Sequence, residues 1–220
     1  MAGDLELYIW NYNHSSWSMR AGIPLRQTGV KFREIVAHNA PEGLAAVKAK
    51  TPTGLLPALV LGEGGQVIWD SLAIAEFLAE EFPDAGLWPK DKAARAHARS
   101  MVAEMHSGFT ALRSALPMNI KGSFEGFKVW ARAQADIERI GTIWHECLET
   151  YGGPYLFGET PGMADAMYAP VVTRFRTYDV KLDSVCAAYS RRIMALAPMR
   201  EWVEAAVSEP EQIDELDAEF

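Results

Sequence analysis

Ser15 and Ser16 are the first residues with the means to do chemistry. They follow the alternating run Leu5, Leu7, Ile9 and stand at the start of a helically spaced segment, Trp17 to Thr28. A hydroxyl in that place can donate to a bound thiolate, and a helix N-terminus adds positive potential. A free thiol has a pKa near 8.5, and lowering it by about two units takes roughly 2.7 kcal/mol of preference for the anion. One charge-assisted hydrogen bond and a helix terminus supply most of that. The competing reading is local: one serine caps the helix and the other is solvated.

Two further features suit a ligand with peptide and zwitterionic character. Leu56-Pro57 follows a turn, Thr51-Pro52-Thr53-Gly54, inside an apolar run. A proline there forfeits a ladder hydrogen bond and belongs at a strand start or edge. It is a plausible cis bond, which would turn the Leu56 N–H and C=O outward to pair with an extended peptide; a trans proline opening a strand is the alternative. Asp70-Ser71 falls where a strand ends and a helix begins. Either residue can cap that helix. The amides there also bind carboxylates, and the Asp70 carboxylate can pair with an amino group, as an amino-acid end such as γ-glutamyl requires.

The elements that must position these residues follow from periodicity. Leu5 to Ile9 reads as a strand, Trp17 to Thr28 as a helix stopped by Gly29, and Lys31 to Val36 as a second strand, hence a right-handed parallel crossover. Pro41 to Lys50 reads as a short helix. Leu55 to Leu61 and Gln66 to Trp69 read as a hairpin about Gly62-Glu63-Gly64-Gly65. The helix from Asp70 has a predicted apolar stripe of Leu72, Ala75, Ala79 and Phe82. Beyond Pro83 the pattern is helical only. Single long helices are expected over Asp91–Leu116 and Phe124–Tyr151, then helices at Met163–Tyr178, Leu182–Ala195 and Met199–Val207. This divides the chain into residues 1–84 (α/β), 91–208 (all-α) and an acidic tail, 209–220, that is either solvated or a docking segment through Ile213, Leu216 and Phe220.

Composition narrows the function classes. The chain has 220 residues, 49% hydrophobic, with a net charge of −8, which argues against a nucleic-acid or anionic-membrane binder. No apolar run suits a membrane span, and Met1-Ala2-Gly3-Asp4 is not a signal peptide, so a cytoplasmic location is expected. Cys147 and Cys186 fit no disulfide or zinc spacing and read as small apolar helix residues; no metal is expected.

Together, the order and spacing of Ser15-Ser16, Leu56-Pro57-Ala58-Leu59 and Asp70-Ser71-Leu72-Ala73-Ile74 resemble the glutathione transferase superfamily. Gly158 with Met163-Ala164-Asp165 is similar to its buried capping box, so the resemblance spans about residues 5 to 207. It implies a thioredoxin-like N-terminal domain, an all-α C-terminal domain, glutathione as cosubstrate, and a homodimer. The serine motif looks like that of the zeta (maleylacetoacetate isomerase-like) and related bacterial classes. By that resemblance Ser15 or Ser16 stabilises the glutathione thiolate, the Leu56 backbone at the Pro57 turn pairs with the cysteinyl unit, and Asp70 and Ser71 hold the γ-glutamyl end.

Departures from the zeta pattern matter as much. Trp17 stands in the place of cysteine, which argues against cysteine-based thiol transfer. Gly54-Leu55 lacks a polar support for glutathione, for which Lys48, Lys50 or His38 is a substitute, and Gly162 takes the Ser/Thr place of the capping box. Thr177 falls where the isomerase type carries an arginine, with Arg174 and Arg176 nearby. For the second substrate, His106 and Arg113 are seven apart on one expected helical face, and Met118-Asn119 follows a proline break at an expected pocket rim. Met101, Met105, Phe109 and Trp130 read as core. Three functions compete: conjugation of glutathione to a small electrophile, glutathione-dependent cis–trans isomerisation of a small diacid, and a non-catalytic adaptor on the same fold.

Overall fold

The computed structural model describes residues 5–37, 41–62 and 65–210, without the side chains of residues 41, 42, 44, 46 and 48. His38, the Lys48 side chain, the tip of the expected hairpin turn, the first four residues and the tail beyond residue 210 lie outside that description. Lys50 is exposed.

The N-terminal part folds as β1 (Leu5–Ile9), α1 (Ser16–Gln27), β2 (Phe32–Val36), α2 (Pro41–Lys50), β3 (Ala58–Leu61), β4 (Val67–Trp69) and α3 (Ser71–Glu81). The sheet order is β2-β1-β3-β4. β1 and β2 are parallel, with Leu7 opposite Glu34, while β3 runs antiparallel to β1, with Leu7 opposite Leu59, and β4 runs antiparallel to β3. Leu5, Leu7 and Ile9 point into the main core with Leu59, as period-two alternation requires. The buried face of α3 carries Ser71, Ile74, Ala75 and Leu78. The predicted stripe was centred one position off: Leu72, Ala79 and Phe82 are only partly buried.

The remainder is helical: α4 (Lys92–Ser107), α5 (Thr110–Ala115), α6 (Ala131–Tyr151), α7 (Met163–Thr177), α8 (Ser184–Met194) and α9 (Ala197–Ser208). α7 is buried along nearly its whole length and packs on both α1 and α4. Asp165 holds its start. Its carboxylate accepts from Gly162 N at 2.8 Å, Leu156 N at 3.1 Å and Tyr189 Oη at 2.9 Å. Burial outweighs these bonds and pushes its pKa up to about 6. Among the described residues, no helix is long and apolar enough to cross a membrane.

Two expected long helices are shorter. The one over 91–116 breaks at Gly108 and Phe109, the latter at φ 55°. A Cβ on Gly108 would sit 2.7 Å from Glu104 O. The freed groups are then claimed by side chains across the break and beyond it: Arg113 Nη2 donates to Met105 O and, at 3.0 Å, to His106 O, and Asp136 Oδ2, on α6, accepts from Leu112 N at 2.8 Å. Local periodicity contains no trace of that competition. Likewise α6 starts at Ala131, not Phe124. Residues 124–130 are held by α7 instead, through Phe124 N to Thr177 O at 2.7 Å and the Phe124 and Phe127 rings against Tyr178. Trp130, read as core, is exposed there.

Candidate functional site

The loop between β1 and α1 is staked by side chains before it reaches the serines. Asn11 Oδ1 accepts from His14 N at 2.8 Å and Ser15 N at 3.1 Å. Ser15 then caps α1, its Oγ accepting from Ser18 N at 3.3 Å and lying 2.7 Å from Ser18 Oγ. Ser18 Oγ in turn accepts from Trp10 N at 3.2 Å. Ser16, the first residue of α1, is buried, and its hydroxyl makes no hydrogen bond among the described residues. Ser15 is therefore part of a capping network, while Ser16 keeps its proton uncommitted.

Leu56-Pro57 is cis. It leads into β3, which brings Leu56 and Pro57 beside the α3 N-terminus. Asp70 caps α3 from a left-handed conformation (φ 72°), its Oδ1 accepting from Leu72 N at 2.8 Å. A non-glycine residue held there carries strain, which is characteristic of ligand sites. Ser71 is buried to 1% exposure with no partner for its Oγ among the described residues. An orphaned buried hydroxyl at a helix N-terminus suits an anionic ligand group. Trp17, Leu56, Pro57, Trp69, Asp70 and Ser71 all line one cleft of about 520 Å³. The structure thus gathers the Pro57 turn, the Asp70-Ser71 cap and Trp17 around a single space; Ser15 and Ser16, both buried, are not among its lining residues. Thr53 also lines it, and Leu55 is exposed at its mouth.

The second-substrate candidates divide. His106 reaches the cleft's edge: its Nε2 is 3.4 Å from Asp70 Oδ2, and its ring meets Trp17 edge-on with centroids 5.1 Å apart. Arg113 sits 4.6 Å from the Trp17 ring centroid. The two do not share a helical face as expected, because they flank the break after α4; Arg113 folds back onto that helix end. Asn119 is not at a rim. It is 4% exposed and ties loops together, its Oδ1 accepting from Asn13 Nδ2 at 3.1 Å and its carbonyl from Thr177 Oγ1 at 2.7 Å. Met118 is buried as well. Arg176 does not line the cleft; it lines a separate cavity of about 230 Å³ with Lys121 and Val203. Arg174 is buried, donating through Nε to Leu116 O at 2.9 Å; burial and the nearby Arg113 lower its pKa to about 9.

Two residues at the site escaped sequence reasoning. Arg20 lies on α1 one turn beyond Ser16 and is fully buried, its guanidinium carbon 4.6 Å from the Trp17 centroid. The available signal was a cation within the apolar run Met19 to Leu25 of α1. Glu209 accepts from Tyr12 N at 2.8 Å and Asn13 N at 3.0 Å, so this first residue of the expected solvated tail anchors the serine loop. Nothing in the local sequence marks it.

The family models for the N-terminal and C-terminal domains of glutathione S-transferase match residues 14–81 and 93–205. A maleylacetoacetate isomerase from Rhizobium meliloti (strain 1021) is 31% identical over 199 residues, covering 80% of this chain and 85% of that one. A probable maleylacetoacetate isomerase of Caenorhabditis elegans is 28% identical over 178 residues, covering 80% and 81%. Among solved structures, a holo maleyl pyruvate isomerase, described as a bacterial glutathione S-transferase of the zeta class, superposes with a TM-score of 0.70 at 26% identity. It covers 94% of this chain and 100% of that one. The chain belongs to the glutathione S-transferase family.

Proposed function

We propose that the protein binds glutathione in the Trp17–Ser71 cleft and transfers it to a small electrophile through a thiolate stabilised by Ser15 or Ser16. The observation that carries this is the convergence on one space of the cis Leu56-Pro57 turn, the strained Asp70 cap with its orphaned Ser71 hydroxyl, and Trp17, the residue that follows Ser15-Ser16. In this reading the Asp70 carboxylate pairs with the γ-glutamyl amino group. Ser71 Oγ and the first α3 amides take the γ-glutamyl carboxylate. The Leu56 backbone pairs with the cysteinyl unit, which leaves the sulfur at the α1 N-terminus. The protein then contributes proximity and anion stabilisation to nucleophilic attack, with little acid–base work.

The division into residues 1–84 and 91–208, the cytoplasmic location and the homodimer belong to the same proposal. Calorimetry with glutathione is the test. Micromolar to millimolar binding that weakens in the Asp70→Ala and Ser71→Ala variants is expected; no measurable binding would favour a non-catalytic adaptor instead.

A second reading, isomerisation of a small diacid, is favoured by relatives named as maleylacetoacetate isomerases. It needs a cationic anchor beside the sulfur. Arg176 is excluded from that role by its separate cavity, which leaves Arg113 and Arg174. Loss of diacid turnover in Arg113→Ala and Arg174→Ala is the expected result, and turnover unaffected by either removes this reading.

A further inference from the structure

Neither cysteine takes part in the proposed reaction, and one of them sits among other metal-ligating side chains. Among the described residues, one group of His, Cys, Asp and Glu brings three donors together: a ring nitrogen of His145, a carboxylate oxygen of Asp183 and Cys186 Sγ lie within 4.8 Å of one another. None of the three lines the glutathione cleft. The expectation of no metal rested on spacing along the chain. This set is assembled across it, His145 from α6 and the other two from the start of α8, with Asp183 38 positions beyond His145.

The three side chains are held as a coordination shell needs them. Asp183 is the N-cap of α8, and its Oδ1 accepts from Val185 N at 2.8 Å and Cys186 N at 3.1 Å. Those two amides orient the carboxylate. Its Oδ2 is left to face His145 Nε2 at 3.0 Å. Cys186 is buried beneath them, and its Sγ makes a long 4.0 Å contact to Gly141 O, one turn before His145 on α6. The sulfur is therefore loosely held. Around a tetrahedral zinc ion, bonds of about 2.0–2.3 Å put neighbouring donors roughly 3.2–3.8 Å apart. The nitrogen–oxygen pair is close to that spacing, and a sulfur shift of about 1 Å completes the set. The His145 and Asp183 side chains are 47% and 52% exposed, so an ion can arrive from solvent and keep a water on its outer side.

The donor types choose the ion. Magnesium and calcium take oxygen ligands, whereas imidazole, carboxylate and thiolate together suit zinc and its neighbours. We infer that His145, Asp183 and Cys186 form a metal site between α6 and α8 that takes a divalent cation of the zinc type, with water in the fourth position. A surface ion pair would account for His145 and Asp183 alone; the inward thiol adds the soft donor that separates zinc from magnesium. Burial and Asp183 push that thiol up to about 12, so it keeps its proton until the cation displaces it to solvent. A bound ion would clip the start of α8 to α6, away from the cleft. The inference does not depend on the glutathione reading.

The test uses the full chain, stripped with EDTA, with no affinity tag and no glutathione to compete for the ion. Cobalt chloride is expected to bind at one equivalent, with a thiolate-to-cobalt charge-transfer band in the near ultraviolet and the visible bands of a four-coordinate ion. The charge-transfer band is expected to vanish in Cys186→Ala and to persist in Cys147→Ala. His145→Ala is expected to weaken binding roughly 10- to 100-fold; its side chain is exposed, which keeps the test open if Cys186→Ala does not fold. Zinc chloride at about ten times its Kd is expected to raise Tm by roughly 3–6 °C, and magnesium chloride to leave it in place. Absence of cobalt binding, a charge-transfer band that survives Cys186→Ala or is lost in Cys147→Ala, an unchanged affinity in His145→Ala, or a Tm rise that is absent in zinc or equal in magnesium overturns the inference.

Discussion

Removing the two hydroxyls one at a time should separate a cap from a thiolate donor. Ser15 Oγ accepts from Ser18 N at 3.3 Å, so Ser15→Ala removes the α1 N-cap. That loss is worth about 1 kcal/mol, or roughly 2–4 °C in Tm for a chain of this size. Ser16 stands outside the cap, so Ser16→Ala should leave Tm nearly unchanged. The hydroxyl that donates to sulfur contributes about 1.5–3 kcal/mol as a charge-assisted hydrogen bond. Its loss should raise the pKa of bound glutathione by about one to two units. If the wild-type complex titrates near 6.5, the deprived variant should titrate near 7.5–8.5. The assay is the thiolate ultraviolet absorbance of the complex against pH, with Tm measured on the same samples. A variant that loses Tm without a pKa change marks a pure cap; one that shifts the pKa without losing Tm marks a pure donor. If neither single variant nor the double variant moves the bound thiol's pKa, serine stabilisation of the thiolate is wrong.

Three further outcomes follow from packing and charge. A Cβ on Gly22 would lie 2.3 Å from Trp202 Cζ3, so Gly22→Ala should cost about 1–3 kcal/mol through displaced α9 packing, read as a lower denaturant midpoint; an unchanged midpoint would show that α9 yields freely. Burial raises the Asp165 pKa to about 6, above its unfolded value near 3.9. The folded state then binds the extra proton between about pH 4 and 6, and raising pH through that window should cost the wild type roughly 2–3 kcal/mol relative to Asp165→Asn. Parallel stability–pH curves for the two proteins would contradict it. Glu209→Ala should free the Tyr12 and Asn13 amides and speed hydrogen exchange across residues 11–15, with a fall in activity of a few-fold; unchanged exchange would deny Glu209 that role.

How far the sequence reached depended on the range of the signal. The β1 alternation, the Asp70 cap and the Leu56-Pro57 turn are written in residues that contact near neighbours along the chain, and they were legible; the Asp165 cap was read through the family resemblance. The α4–α5 break was not, because it is settled by Arg113 and Asp136 reaching helix ends from elsewhere. Asn119 looked like a rim residue after a proline, yet its partners, Asn13 and Thr177, are 106 and 58 positions away. Arg20 follows Ser16 by four positions, but only the folded chain shows that its guanidinium nitrogens have no hydrogen-bond partner among the described residues.

The bond between Glu209 and the loop at Tyr12-Asn13 spans 197 positions, and Trp202 Nε1 reinforces it by donating to Tyr12 O at 2.9 Å. During synthesis the sheet can assemble early, since its strands are close in sequence, whereas α1 must also wait for α7 and α9. The loop that presents the serines cannot be clamped until α9 and Glu209 have been translated and have docked. A nascent or clipped chain that lacks Glu209 would therefore carry the cleft with the Tyr12-Asn13 loop unclamped, and the proposed thiolate site would be ordered only after α9 and Glu209 have docked.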